Sequence, residues 1–185
     1  MSLPIPEVTH AMGTPPTWLV VMGVSGCGKS TLGRALASET GLPFIEGDEF
    51  HSQESIAKMR SGMPLSDEDR NSWLDRLASQ LRSHENGAIL SCSALKKVYR
   101  ARLSAVVDNL KFVYLQIDAA DARSRVAERR EHIFPTSLVD SQFAVLEAPR
   151  PGPDVLELRA MQPTPSLCQR TLRWMRQSAE EQQSY

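Results

Sequence analysis

The chain of 185 residues lacks an excess of either charge, a long apolar run and a paired set of cysteines. A formal net charge of -1 excludes the broad basic footprint that nucleic acid or an anionic membrane surface requires. No apolar run approaches bilayer-spanning length, and the N-terminus has no basic region leading into a hydrophobic core. A cytoplasmic protein with no membrane and no nucleic-acid partner is therefore expected. Cys27, Cys92 and Cys168 are odd in number, scattered and without a C-x-x-C pair, which points to reduced thiols. Neither N-K-x-D nor D-x-x-G occurs, which argues against a guanine-nucleotide switch. What is present, 41% hydrophobic and 23% charged residues, suits one globular domain with a sizeable core.

The most informative stretch is Gly23-Val24-Ser25-Gly26-Cys27-Gly28-Lys29-Ser30, directly after the apolar run Trp18-Leu19-Val20-Val21-Met22. It fits G-x-x-x-x-G-K-[ST], a loop that wraps the phosphates of a nucleoside triphosphate. Glycines let the backbone turn its N–H groups inward as a nest for phosphate oxygens. Lys29 adds a full positive charge, and the Ser30 hydroxyl is placed to ligate Mg²⁺. Thr31 and an amphipathic run with Leu32, Ala35 and Leu36 on one face follow, so a helix presents its positive end to the same phosphates. ATP and Mg²⁺ are the cofactors this implies. Cys27 stands inside the nest, where a thiol is expected to gain thiolate character and to be alkylated unless ATP protects it.

Strand and helix signals then alternate. Residues 1–17, with four prolines, read as a loose leader. Residues 18–177 read as a single domain, and 178–185 as a polar, frayed tail. Strands are expected at 18–22, 43–46, 87–92, 111–117 and 155–158. Helices are expected from the phosphate loop to Thr40, from Gly47–His51 to Gly62, and after Ser66, where Ser66-Asp67-Glu68-Asp69 looks like a capping box. A further helix is expected to bury Leu95, Val98, Leu103 and Val106. An arginine-rich helix follows over 120–130, then a mobile loop over 131–136. A helix over 138–146 and a last one opened by Thr164-Pro165 complete the set. Such alternation implies a five-stranded, mostly parallel sheet covered on both faces, with the ligand at the carboxyl ends of its strands.

The residues at those ends are polar and charged. After the second strand, Asp48 and His51 are placed to orient or deprotonate an attacking hydroxyl; the plainer reading is a helix-terminal acid beside a surface histidine. Arg70 lies in a first helical turn, where it either is offset by neighbouring acids or holds a substrate carboxylate. The third strand ends without an acid, so Mg²⁺ would rest on Ser30, phosphate oxygens and water, with Glu46 or Asp48 near. Lys96 and Arg100, four apart, suit either an anionic substrate or a solvated basic face. Among Arg123, Arg125, Arg129 and Arg130, one or two are candidates to reach the transferring phosphoryl group.

The segments MGVSGCGKST, EGDEFHSQESIAKMRSGMPLSDEDRNSWL, CSALKKVYR and SQFAVLEAP, in this order from Trp18 to Pro149, resemble the gluconokinase family. These are shikimate-kinase-like relatives of the nucleoside monophosphate kinases. The resemblance implies a P-loop NTPase fold with a lid over about 120–140. It also implies a cytoplasmic homodimer that phosphorylates D-gluconate at its 6-hydroxyl with ATP. By position it puts Asp48, His51, Arg70, Lys96, Arg100, His132 and Gln142 around gluconate. It puts Arg125 and Arg129 near ATP, Gly23, Ser25, Gly26, Cys27, Gly28, Lys29, Ser30 and Thr31 on the phosphates, and Gln162 by the base. Lys29, Asp48, Arg125 and Arg129 are then the catalytic candidates. The sequence departs from the family at Cys27, where Ser or Thr is usual, at Glu46, where Asp is commoner, and at Ile133, where an aromatic often stands. A kinase for shikimate or a nucleotide is the nearest alternative, and a nucleotide-gated binding module a more distant one.

Overall fold

The run Thr-Trp-Leu-Val-Val-Met has no polar alternation, as expected of a strand covered on both faces. In the computed structural model, which describes residues 16–128 and 135–183, it forms the central strand β1 (Thr17–Met22). Leu19 and Val21 face one apolar cluster, and Val20 and Met22 face the other. Around β1 lie β2 (Phe44–Glu46), β3 (Gly87–Ser91), β4 (Lys111–Gln116) and β5 (Val155–Arg159), in the order β2-β3-β1-β4-β5 and all parallel.

Helices α1 (Lys29–Thr40), α5 (Ala119–Glu128), α6 (Ser137–Val145) and α7 (Thr164–Gln183) pack on the Leu19 face. Helices α3 (Asp67–Ser83) and α4 (Lys97–Ser104) pack on the other, with Trp73, Leu74, Leu77 and Leu81 of α3 buried. The short α2 (Gln53–Arg60) joins a satellite cluster of Met59, Leu65 and Leu138. Register sets the working edge of the sheet. Glu46 and Val21 both pair with Ser91, so β1, β2 and β3 end level and their following loops emerge side by side. Gly47 shows how tight that edge is, because a Cβ there would lie 2.2 Å from the Ser91 carbonyl oxygen.

Three boundaries differ from the sequence expectation, each for a local reason. Gly47–Phe50 is a 3-10 turn, and α2 begins only at Gln53, because Ser52 caps it by accepting a hydrogen bond from the Ser55 N–H. Leu95 precedes α4 and packs on the opposite face of the sheet from Tyr99 and Leu103, so the expected stripe is broken and Val98 is 63% exposed. Helix α7 continues to Gln183, past the point where a frayed tail was expected. The capping box is present as read: Ser66 and Asp69 bond reciprocally at the start of α3. Most of the expected leader lies outside the described residues.

The cysteines are free, as expected, but burial argues against an accessible Cys27 thiol. Cys27 is 1% exposed within the core cluster that contains Leu32, Leu115 and Val126, so its side chain packs inward while its backbone belongs to the loop. Cys92 and Cys168 are also buried, and burial pushes the Cys92 thiol up to about 12. We expect the folded protein to react slowly with an aromatic disulfide reagent and to release all 3 thiols only in denaturant. One fast, ATP-protected thiol in the native state would restore the sequence expectation.

Candidate active site

The site starts at the exposed positive end of α1. Gly28 caps this helix with φ 96, a left-handed conformation that L-side chains resist. No side chain satisfies the first N–H groups, and the first turn holds no acid. Lys29 instead places a positive charge at the positive end of the dipole, an arrangement that becomes favourable when an anion sits there. Its ammonium donates to the Val24 carbonyl at 3.1 Å, inside the loop. Ser30 Oγ lies 3.4 Å from Ser91 Oγ at the end of β3. Two helices from later in the chain reach the same loop. Arg125 Nη1 donates to the Gly26 carbonyl at 3.4 Å, and the Ser25 N–H donates to Gln142 Oε1 at 2.6 Å.

One cleft joins this loop to the segment after β2. Ser25, Gly26, Gly28, Lys29, Ser30, Asp48, His51, Arg70 and Gln142 all line it, together with Trp73, Ser93, Leu65 and Ser141. Asp48 is partly exposed at 33%, whereas the His51 side chain is only 5% exposed, with Nε2 4.0 Å from Asp48 Oδ1. The imidazole stacks on Trp73, with centroids 4.5 Å apart and planes 10° from parallel. Burial, then the charges of Arg70 and Arg76, lower the His51 pKa from 6.5 to about 4. The burial of His51 against Trp73 is what the plainer reading of a surface histidine does not account for. Arg70 donates to the Leu65 carbonyl and lies 5.8 Å over the Tyr99 ring. A second cavity, beyond the other side of the loop, is lined by Cys27, Gly28, Thr31, Arg125 and Gln162 with Ala160 and Leu167. Gln162 Oε1 there accepts from Arg170 at 2.9 Å.

Two expected substrate residues are not in the cleft. Lys96 is the N-cap of α4, with extended backbone, so it does not share a helical face with Arg100. Its ammonium instead grips Asp67 at 2.6 and 2.8 Å, and the Tyr99 hydroxyl donates to the same carboxylate. Arg100 donates to three backbone carbonyls, those of Ala94, Leu95 and Glu147 at 2.9, 3.0 and 2.9 Å. It clamps the turn in which Ala94 holds φ 43, a structural use of three of its five N–H donors. Gly23 donates its N–H to Ser93 and shapes the turn without lining either cavity. Arg129 and His132 lie outside the described residues. Sequence reading missed Trp73, whose place in an apolar helical stripe identifies it only as core.

A Mg²⁺ ion fits the donor set at the β2–β3 edge. Ser30 and Ser91 offer hydroxyls, and Glu46 Oε1 is buried with no hydrogen-bond partner in the structure, although Oε2 meets Arg34 at 3.3 Å. These are hard oxygens, the kind Mg²⁺ takes directly or through its waters.

The lowered His51 pKa makes stability depend on pH. Between pH 6.5 and about 4 the unfolded chain binds a proton that folded His51 refuses, so stability falls on acidification through that window. The His51 share is about 3 kcal/mol across the full range. Urea unfolding of the unsubstituted chain and of His51→Gln over pH 4 to 7 measures it as the difference between their slopes. Parallel curves would mean that His51 titrates as an exposed histidine.

Residues 19–149 match the model of a family described as AAA domain. A probable gluconokinase of Dictyostelium discoideum is 44% identical over 140 residues, spanning 71% of this chain and 70% of that protein. The gluconokinase of Gluconobacter oxydans is 42% identical over 142 residues, spanning 75% and 79%. A solved gluconokinase from Sinorhizobium meliloti superposes with a TM-score of 0.83 at 39% identity, over 92% of this chain and 98% of that one. Identity of this order across most of both partners, on a shared fold, makes this chain a member of the gluconokinase family of P-loop kinases.

Proposed function

We propose that the chain transfers the γ-phosphoryl group of ATP to the 6-hydroxyl of D-gluconate, giving 6-phospho-D-gluconate and ADP. The observation that carries this reading is the single cleft in which an anion-ready phosphate loop faces Asp48, His51 and Arg70, in a chain of this kinship. The loop amides and Lys29 hold the polyphosphate, with Gly23, Ser25, Gly26, Cys27, Gly28 and Thr31 shaping or lining its seat. Arg125, already on the Gly26 carbonyl, lies close enough to the loop to meet charge developing on the transferred group. Arg129 and His132 keep the roles implied by the family resemblance, on the lid and on the acceptor. Gln162 serves the base, in the cavity it shares with Leu167.

On the acceptor side, Arg70 pairs with the gluconate carboxylate, while Asp48 takes the proton of the attacking hydroxyl. Gln142 also faces the acceptor; because its Oε1 is committed to Ser25, its amide N–H₂ is left to donate. Ser30, with Glu46 behind it, would hold a Mg²⁺ ion, which would supply charge neutralisation to the polyphosphate. Positioning and electrostatic stabilisation, rather than covalent chemistry, supply the rate. The family resemblance also supports a cytoplasmic homodimer.

A coupled ADP assay over gluconate, shikimate, nucleoside monophosphates and hexoses tests the acceptor. Turnover should be confined to gluconate, and preference for any other member of the panel would replace this reading. Lys29→Ala should abolish turnover, and near-normal activity would refute the phosphate-site assignment. Asp48→Asn should lower kcat by about 10²-fold if Asp48 is the base. A change confined to KM would make it a binding residue only.

A further inference from the structure

Trp73 sits on α3, a helix whose periodic apolar face would place it as one more core residue, yet both of its polar and stacking functions are spent on the segment that carries Asp48. Its Nε1–H donates to the Gly47 carbonyl at 2.7 Å, and its ring lies flat against His51. It is 1% exposed, and both residues line the cleft. His51 Nδ1 is buried and has no hydrogen-bond partner, while Nε2 faces Asp48 at 4.0 Å. A proton on Nδ1 would be a buried, unpaired donor, which costs more than an unpaired lone pair, so the neutral ring carries its proton on Nε2. The gap from Nε2 to Asp48 is too long for a direct hydrogen bond, but an oxygen set about 2 Å to one side of that line lies about 2.8 Å from both groups.

We propose that Trp73 is a positioning residue for phosphoryl transfer that acts through His51. Its indole holds the imidazole so that one acceptor hydroxyl accepts from Nε2–H while donating to Asp48. The hydroxyl is then fixed by two hydrogen bonds of opposite sense, with its proton directed at Asp48. His51 keeps its own proton throughout, and the hydroxyl proton passes to the Asp48 carboxylate as the new oxygen–phosphorus bond forms and the bond from the γ-phosphorus to the bridging oxygen of ATP breaks, with ADP leaving. Sealing the ring against Trp73 also keeps it uncharged. An imidazolium at this distance would pair with Asp48 and compete for the lone pairs that must receive the proton. The inference rests on the cleft being the acceptor site.

Two experiments test it. In a double-mutant cycle on kcat/KM for gluconate, Trp73→Leu and His51→Gln should each cost about tenfold or more, and the double variant no more than the worse single one. Trp73→Phe, which keeps the stack, should recover most of the kcat lost in Trp73→Leu. Nucleotide affinity, measured well below the melting temperature, should be the same in every variant. Penalties that multiply, or no recovery with Trp73→Phe, would overturn the proposal. Long-range ¹⁵N–¹H spectra of the unsubstituted protein provide the second test and require no variant to fold. The Nε2–H tautomer of His51 is expected, and an Nδ1–H tautomer would overturn the proposal. If the unsubstituted chain turns over no gluconate, the acceptor assignment fails on its own, while the tautomer measurement still decides the geometry.

Discussion

The helix end at Gly28 is electrostatically incomplete: its amides are uncapped, its first turn has no acid, and a lysine stands where the dipole is already positive. Taken alone this arrangement weakens α1, and it is tolerated because the rest of the fold pins the helix in place. Leu32 and Leu36 are buried against the Leu19 and Val21 face of β1, and α7 lies alongside. Burying two leucines fully is worth about 3–6 kcal/mol, more than the fraction of a kcal/mol to about 1 kcal/mol that an uncapped, wrongly charged terminus costs. The sheet thus supports a terminus whose electrostatics are completed by a phosphate.

The cleft wall that carries Asp48 and His51 is built on a different principle. Asp48 lies on a short 3-10 turn that has little stability of its own, and His51 directly follows it. Its position comes from contacts on both sides: Gly47 pressed against the Ser91 carbonyl, and Trp73 beneath it. Helix α3 is fixed in turn at its N-terminus, by the Ser66–Asp69 capping box, the Lys58–Asp69 pair at 2.6 Å and the Lys96–Asp67 pair. These are exposed or partly exposed ion pairs, each worth little alone. The buried stripe of Trp73, Leu74, Leu77 and Leu81 sets the rotation of α3, and these pairs tie its first turn to α2 and to the start of α4. Lys96, a candidate for binding substrate by its charge, instead helps set the walls of the cleft.

This division explains what could be read from the sequence. The phosphate loop, the parallel sheet and the positions of Asp48, His51 and Arg70 follow from local patterns, because a loop motif or a strand end is determined by adjacent residues. Lys96 and Arg100 do not line the cleft together, because spacing of four implies a shared face only inside a helix, and the helix begins one residue too late. Cys27 is buried because a residue in a nest can turn its backbone to the loop and its side chain to the core. Trp73 was legible only as core: its hydrogen bond to Gly47 spans 26 positions, and no local period encodes it.

The two contacts that α5 and α6 make with the phosphate loop bear on how the halves work together. Arg125 binds a loop carbonyl, which no phosphate competes for, so that bond can persist when the loop is occupied. Gln142 binds a loop N–H, and an amide has only one hydrogen to give. A phosphate oxygen that reached Ser25 would have to share that hydrogen or displace the glutamine. If Gln142 stays, its free amide group is held at the boundary between nucleotide and acceptor, where Ser141 and Leu138 of the same helix already form the wall. If it leaves, α6 loses a buried hydrogen bond to the loop, and nucleotide binding is paid for by a change in the wall that the acceptor meets. In that second case the occupancy of one site would alter the free energy of the other, and the dependence would be reciprocal.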